Sequence, residues 1–180
     1  EQWKGTVFGD IPPGGDFSHF TLEPVENGVH IAVRDNAGKI SAVTDGIAMY
    51  YTTVPSGVNF TFSAKVTLND YFMNDQVSFG LMVRDDCYID MQTPQGLGDF
   101  VAAAPFHLTR NNSLDKCFAR KNSNLFLGPA VCGGLEKGKT YDCRIISSND
   151  GYSLFFGDDE AVTGGFDFRL TSIDPDHVYA

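Results

Sequence analysis

A chain of 180 residues with 42% hydrophobic content, fifteen Phe and seven Tyr carries enough apolar surface for one compact domain. Thirteen Lys and Arg against twenty-three Asp and Glu give a net charge of −10, which excludes general attraction to nucleic acid or to an anionic membrane surface. No run of about eighteen apolar residues is present to cross a bilayer, and EQWKGTVFGD at the start lacks the features of a signal peptide, so a soluble, processed chain without nucleic-acid or membrane partner is expected.

Along the chain, period-two alternation dominates. After the turn cluster Pro12-Pro13-Gly14-Gly15, GVHIAVR (28–34) reads as a strand and ends on Asp35-Asn36-Ala37-Gly38. NFTFSAKVTL (59–68) follows the turn Pro55-Ser56-Gly57, and QVSFGLMVR (76–84) and KCFARK (116–121) come next. TYDCRIIS (140–147) and GYSLFFG (151–157) are joined by Asn149-Asp150-Gly151 as a hairpin. No stretch has convincing helical periodicity. Many short strands with Gly-rich turns predict an all-β fold, an antiparallel β-sandwich or barrel built as a single domain over residues 1–180.

GGLEKGKT (133–140) matches the phosphate-loop string G-x-x-x-x-G-K-[ST], but that loop works only where it opens a helix whose first amides hold the phosphates. A hairpin follows instead, so the expectation is a polar turn over 136–139 with Gly138 in an unusual backbone conformation. Cys87, Cys117, Cys132 and Cys143 are 30, 15 and 11 positions apart, which makes a zinc-thiolate site improbable. Their even number permits two disulfides, while their strand-like surroundings suit small buried hydrophobes. Two glycosylation triplets, at Asn59 and Asn111, carry no further information.

The segment NDQVSFGLMVRDDCYID (74–90) is the most informative. Alternation puts Gln76, Ser78, Gly80, Met82 and Arg84 on one strand face and Val77, Phe79, Leu81 and Val83 on the other, which is core. The mixed face is expected to be solvent or the lining of a groove where Arg84 and Gln76 meet sugar hydroxyls or carboxylates; the alternative is Arg84 paired with Asp85 or Asp86. If CFARK lies beside this strand, Arg120 or Lys121 shares the face, but not both. Asp85, Asp86 and Asp90, or Asp158, Asp159 and Glu160, offer oxygens to a structural calcium without the pattern of a calcium loop. Trp3, Tyr50, Tyr51, Tyr71, Phe72 and Tyr88 are the available stacking platforms, with Tyr71 and Phe72 expected in an exposed loop and one of Tyr50 and Tyr51 buried. His19, His30, His107 and His177 are lone residues, G-x-S-x-G is absent, and the five Glu make no paired-carboxylate pattern of a retaining glycosidase.

DGIAMYYTTV, NFTFSAKVTL, QVSFGLMVRDDCYID, GDFVAAAP and CFARK together resemble the β-jelly-roll, concanavalin-like modules that accompany pectate lyases and other extracellular plant-cell-wall enzymes of bacteria, over residue 28 to the end. The resemblance implies a secreted, non-catalytic carbohydrate-binding module, appended to a catalytic domain and recognising a pectic or hemicellulosic polysaccharide through one sheet face. Its candidate ligand residues are Arg84, Gln76, Tyr88, Arg120, Lys121, Tyr71 and Trp3. Arg84, Asp85 and Asp86 match its R-D-D motif and Arg120 and Lys121 its A-R-K segment, whereas Cys87 replaces a usual methionine. The chain also stops at DPDHVYA where the resemblance implies a further strand, so that last strand of the sandwich is expected to be truncated, disordered or supplied differently. Two other readings stand beside this one: a sandwich-fold polysaccharide lyase using Gln76, Arg84 and Tyr88, and a protein-binding or adhesion domain of a cell-surface assembly.

Overall fold

The computed structural model describes residues 2–10, 17–35, 37–71, 78–92, 98–108, 113–128, 135–157, 164–171 and 173–180. In chain order the strands are β1 (Lys4–Gly9), β2 (Phe20–Val25), β3 (Gly28–Val33), β4 (Gly46–Tyr51), β5 (Thr53–Pro55), β6 (Thr61–Thr67) and β7 (Leu81–Arg84). The second half holds β8 (Phe100–Leu108), β9 (Ser113–Lys121), β10 (Asn124–Leu127), β11 (Thr140–Ser148), β12 (Gly151–Phe156), β13 (Gly164–Phe166) and β14 (His177–Tyr179). Among the described residues the helical content is one 3-10 turn, Phe17–His19, and no helix is long and apolar enough to cross a membrane. The all-β expectation agrees with this.

All strand pairs are antiparallel and form a six-stranded sheet, β10-β9-β8-β7-β14-β5, a four-stranded sheet, β13-β12-β11-β6, and two ribbons, β1-β4 and β2-β3. Alternation supplies the main core: Leu81, Val83, Val101, Ala103, Cys117 and Ala119 of the larger sheet meet Tyr141, Cys143, Ile145, Tyr152, Leu154 and Phe156 of the smaller. Small residues on one side leave room for rings on the other, where Tyr141 stacks on Phe156 at 5.1 Å. Each Val, Leu, Ile or Phe side chain taken fully out of water here contributes about 1.5–3 kcal/mol. The predicted hairpin is present, with Ser148 paired to Gly151 across the two-residue turn.

The larger sheet is buried on its second face too. Phe100, Ala102, Ala104, Phe106 and Phe118 project there against Ile40, Ile47 and Met82, with Phe106 stacked on Phe118 at 4.3 Å. Strand β8 is therefore apolar on both faces, which is why FVAAAPF does not alternate. This corrects the expectation of a solvent-facing or groove-lining surface at Met82 and Arg84: strand β1 brings Phe8 over Arg84, and the segment that carries Ile40 and Asp45 covers the same face. The C-terminal residues form β14 between β7 and β5.

The β2-β3 ribbon lays Phe20 and Leu22 against Val7 and Ala48 of the β1-β4 ribbon. Its outer part leaves Val25, Ile31 and Val33 about half exposed, at 51%, 46% and 52%.

Candidate functional site

Register brings Arg84, Phe100 and Arg120 into one row across β7, β8 and β9, because Phe100 is the partner of both arginines. Residues directly opposite one another share a face, so the parity argument holds: Arg120 joins Arg84, and Lys121 turns the other way. Both guanidiniums flank the Phe100 ring, at 5.5 and 4.8 Å from its centroid, and Phe8 caps Arg84 at 5.1 Å. Neither arginine has any solvent exposure.

Burying two full charges is affordable only with partners of opposite sign and satisfied hydrogen bonds. Asp45 supplies both. Arg84 Nη1 and Nη2 donate to Asp45 Oδ1 and Oδ2 at 3.3 and 2.8 Å, and Arg120 Nη1 and Nη2 donate to the same oxygens at 2.9 and 2.7 Å. Arg84 Nη2 also donates to both oxygens of Asp86, at 3.1 and 2.9 Å, and its Nε donates to the Asp86 carbonyl at 3.1 Å. Arg120 Nε donates to the Gly98 carbonyl at 2.9 Å and Nη1 to that of Ser41 at 3.3 Å. Among the described residues no buried side-chain nitrogen or oxygen lacks a partner.

Gly98 permits this closeness, since a Cβ there would lie 1.7 Å from Asp86 Oδ1 and 2.1 Å from Asp85 Oδ1. Gly9 does the same for Asp45, whose carbonyl oxygen would be 1.9 Å from an added Cβ.

Charge is unevenly held. Burial pushes the Asp45 carboxyl up, but attraction from Arg84 and hydrogen bonds from Arg120 and Arg84 outweigh it and bring the pKa to about 2. For Asp86 burial wins over Arg84, and the negative Asp45 and Asp85 add to it, giving about 6. The two acids share Arg84 yet differ because Asp45 also holds Arg120. Lys121, on the opposite face, pairs with the buried Asp99 at 3.2 Å.

A pH dependence follows. A carboxyl whose folded pKa lies above its unfolded value keeps a proton that the unfolded chain releases, so its contribution to stability falls as pH rises from about 4 to about 6. Asp45 acts oppositely, its contribution being lost as pH falls from about 4 towards about 2. Urea unfolding of wild type and Asp86→Asn between pH 4 and 7 is expected to show the wild type losing stability relative to the variant as pH rises. Parallel curves would mean that Asp86 is ionised throughout.

The other candidate residues lie apart. Tyr88 is half-buried, edge-on to Phe8 at 5.6 Å; its phenol is pushed up to about 12, by burial first and then by Asp86. Tyr71 is not an exposed platform: it is half-buried, edge-on to Phe79 at 6.0 Å, against the main core. Lys121 lies over the Phe168 ring at 5.4 Å. Trp3 is 38% exposed and stacks on Tyr50 at 5.7 Å with 21° between the planes, while Tyr51 is buried. Gln76, Phe72, Cys132 and residues 158–160 are outside the described residues.

The thiols of Cys87, Cys117 and Cys143 are each pushed up to about 11 or 12 chiefly by burial, so they are protonated and unreactive at neutral pH. Among the described residues no three His, Cys, Asp or Glu are placed to share a metal ion. Asp85 and Asp86 already accept hydrogen bonds from the Asp99 amide and from Arg84. The expected turn is present at 136–139, where the Lys139 amide donates to the Glu136 carbonyl at 3.3 Å and Gly138 has φ of 82°, and β11 starts at once.

Sequence reasoning missed Asp45, Gly98 and Phe100. Asp45-Gly46 has the composition of any turn, and nothing local marks it as a carboxylate shared by two arginines 39 and 75 positions away.

Residues 15–122 match a family model described as the pectate disaccharide-lyase N-terminal domain. Asp45, Arg84, Asp86, Gly98, Phe100 and Arg120 all fall inside that span. The pectate disaccharide-lyase of Dickeya chrysanthemi is 33% identical over 228 aligned positions, covering 98% of this chain and 30% of that protein. Pectate lyase L of Thermoclostridium stercorarium is 35% identical over 88 positions, 47% of this chain and 7% of that protein. The chain thus spans less than a third of the length of these relatives. No solved structure matches it.

Proposed function

The chain belongs to the pectate disaccharide-lyase N-terminal domain family, and from that premise we propose that it is a non-catalytic, jelly-roll-type carbohydrate-binding module that holds a larger secreted polypeptide on plant-cell-wall pectin. The state of Arg84 carries the non-catalytic part. A lyase must neutralise the substrate carboxylate with a cation while a base removes the neighbouring proton. Arg84 has no exposure, and all three of its guanidinium nitrogens are committed to Asp45 and Asp86. Tyr88, the companion base in that reading, holds its proton up to about pH 12. In this reading the cluster joins the larger sheet to the segments that cover it, and sugar is met elsewhere, the exposed Trp3 on Tyr50 being one stacking platform.

Affinity electrophoresis on pectin, xyloglucan and xylan, with an ultraviolet assay for unsaturated uronate product, tests this. Retardation on pectin without product is the expected result. No retardation on any polysaccharide, or steady accumulation of product, would overturn it.

The half-exposed Val25, Ile31 and Val33 favour a second reading, a protein-binding module. It gains ground if the sugar screen is blank and Ile31→Asp abolishes binding to the remainder of the parent polypeptide.

A further inference from the structure

The outer face of the four-stranded sheet is exposed along β6 and the first part of β11. Along β11 burial alternates strictly from Thr140 to Ile145, so Tyr141, Cys143 and Ile145 enter the core while Thr140, Asp142 and Arg144 face water. On the neighbouring β6, Thr61, Ser63, Lys65 and Thr67 face water too. Register sets Ser63, Arg144 and Phe155 in one row across β6, β11 and β12, with Thr61, Ile146 and Ser153 in the next and Lys65 and Asp142 on the other side.

Arg144 is unusual among the cations of this acidic chain. Its guanidinium lies 4.1 Å from the centroid of the Phe155 ring, which is 9% exposed, and no carboxylate among the described residues pairs with it. The nearest acid in the register, Asp142, is neutralised by Lys65 at 2.8 Å. Arg84 and Arg120 are buried and used, and Arg169 donates to the Ser148 carbonyl and to Asn59. A ring beneath a guanidinium fixes its plane and leaves the donor edges free, which lowers the entropy lost when a planar anion docks. Hydroxyls of Ser63 and Thr61 beside it suit sugar hydroxyls, and rows that run across β6, β11 and β12 suit an extended chain rather than a compact ligand.

We propose that this face, centred on Arg144 over Phe155, binds the carboxylate of a uronate residue within an acidic polysaccharide. The inference rests on the reading of the chain as a pectin-associated binding module and assigns that module its surface. Guanidinium and carboxylate make the charge-assisted, two-pronged pair that a neutral sugar cannot supply. A cation that no described carboxylate pairs with, set on a hydroxyl-rich strip, also reconciles a net charge of −10 with an anionic ligand, since attraction is needed only locally.

The test uses the intact chain, polygalacturonate and fully methyl-esterified pectin, with wild type, Arg144→Gln and Arg144→Lys. Loss of a charge-assisted pair corresponds to a roughly 10- to 100-fold weaker affinity of Arg144→Gln for polygalacturonate. Arg144→Lys is expected between the two, because an ammonium keeps the charge but loses the fork. On the esterified polymer, which has no free carboxylate, the three proteins should be alike. Thermal melting should be unchanged, as the side chain is exposed. Unaltered polygalacturonate affinity in Arg144→Gln, or an equal loss on the esterified polymer, would overturn the site while leaving the binding reading intact. A wild type that binds no polysaccharide would overturn both.

Discussion

Asp45→Asn should destabilise the protein by about 3–5 kcal/mol, more than most single changes, because it leaves two guanidiniums in the interior with one carboxylate, Asp86, to balance them. The substituted amide has nearly the same shape, so packing is kept and charge alone is altered. Its nitrogen would also face a guanidinium nitrogen at a distance where an acceptor now stands, 2.7 Å from Arg120. For a chain of this length the melting temperature should drop by about 10 °C or more. Adding Arg120→Met removes one positive charge and leaves Arg84 with Asp86, so the double variant should lose less than the two single changes summed. The exposed Lys65–Asp142 pair, also at 2.8 Å, is the control: Asp142→Asn should change stability by less than about 1 kcal/mol. Urea denaturation of the five proteins decides the matter, and an Asp45→Asn protein within about 1 kcal/mol of wild type would remove the cluster from its structural role.

Gly9→Ala is the second large effect expected, about 3 kcal/mol or more. Gly9 ends β1 opposite Gly46 with φ of 97°, a conformation that L side chains rarely adopt. An added Cβ would fall 1.9 Å from the Asp45 carbonyl oxygen, 2.4 Å from its carbon and 2.9 Å from the Gly46 nitrogen, all backbone atoms that cannot swing aside. Relief requires β1 to part from β4, which lifts Phe8 from Arg84 and displaces Asp45 from both arginines. Gly138, with φ of 82° and nothing within 4 Å of an added Cβ, isolates the backbone strain from the clash, and Gly138→Ala should cost about 1 kcal/mol. The single tryptophan, Trp3, lies just before β1 against Tyr50, so its fluorescence should report release of that strand in Gly9→Ala and stay native-like in Gly138→Ala. Equal losses in the two variants would show that the close approach to Asp45 carries no energy of its own.

Local chemistry decided much of this protein in advance. Alternation in TYDCRIIS and GYSLFFG with Asn149-Asp150 between them specifies the hairpin, because a two-residue turn closes only when both strands bury the same parity. The same periodicity placed Leu81 and Val83 in the core, required that one of Arg120 and Lys121 but not both share a face with Arg84, and showed that a strand, not a helix, follows the turn at 136–139. What alternation cannot carry is the identity of whatever lies against the second face. A polar residue at every other position is selected equally by water, by a ligand groove and by a second buried layer whose charges are paired internally. Only the return of β1 and of the segment around Asp45 across the larger sheet separated these cases, through contacts 39 and 75 residues long for Asp45 alone. The open face around Arg144 escaped notice for the matching reason. An arginine alternating with apolar residues is ordinary in a sequence, and its lack of a carboxylate partner among the described residues emerges only once β6 and β12 are in register beside it.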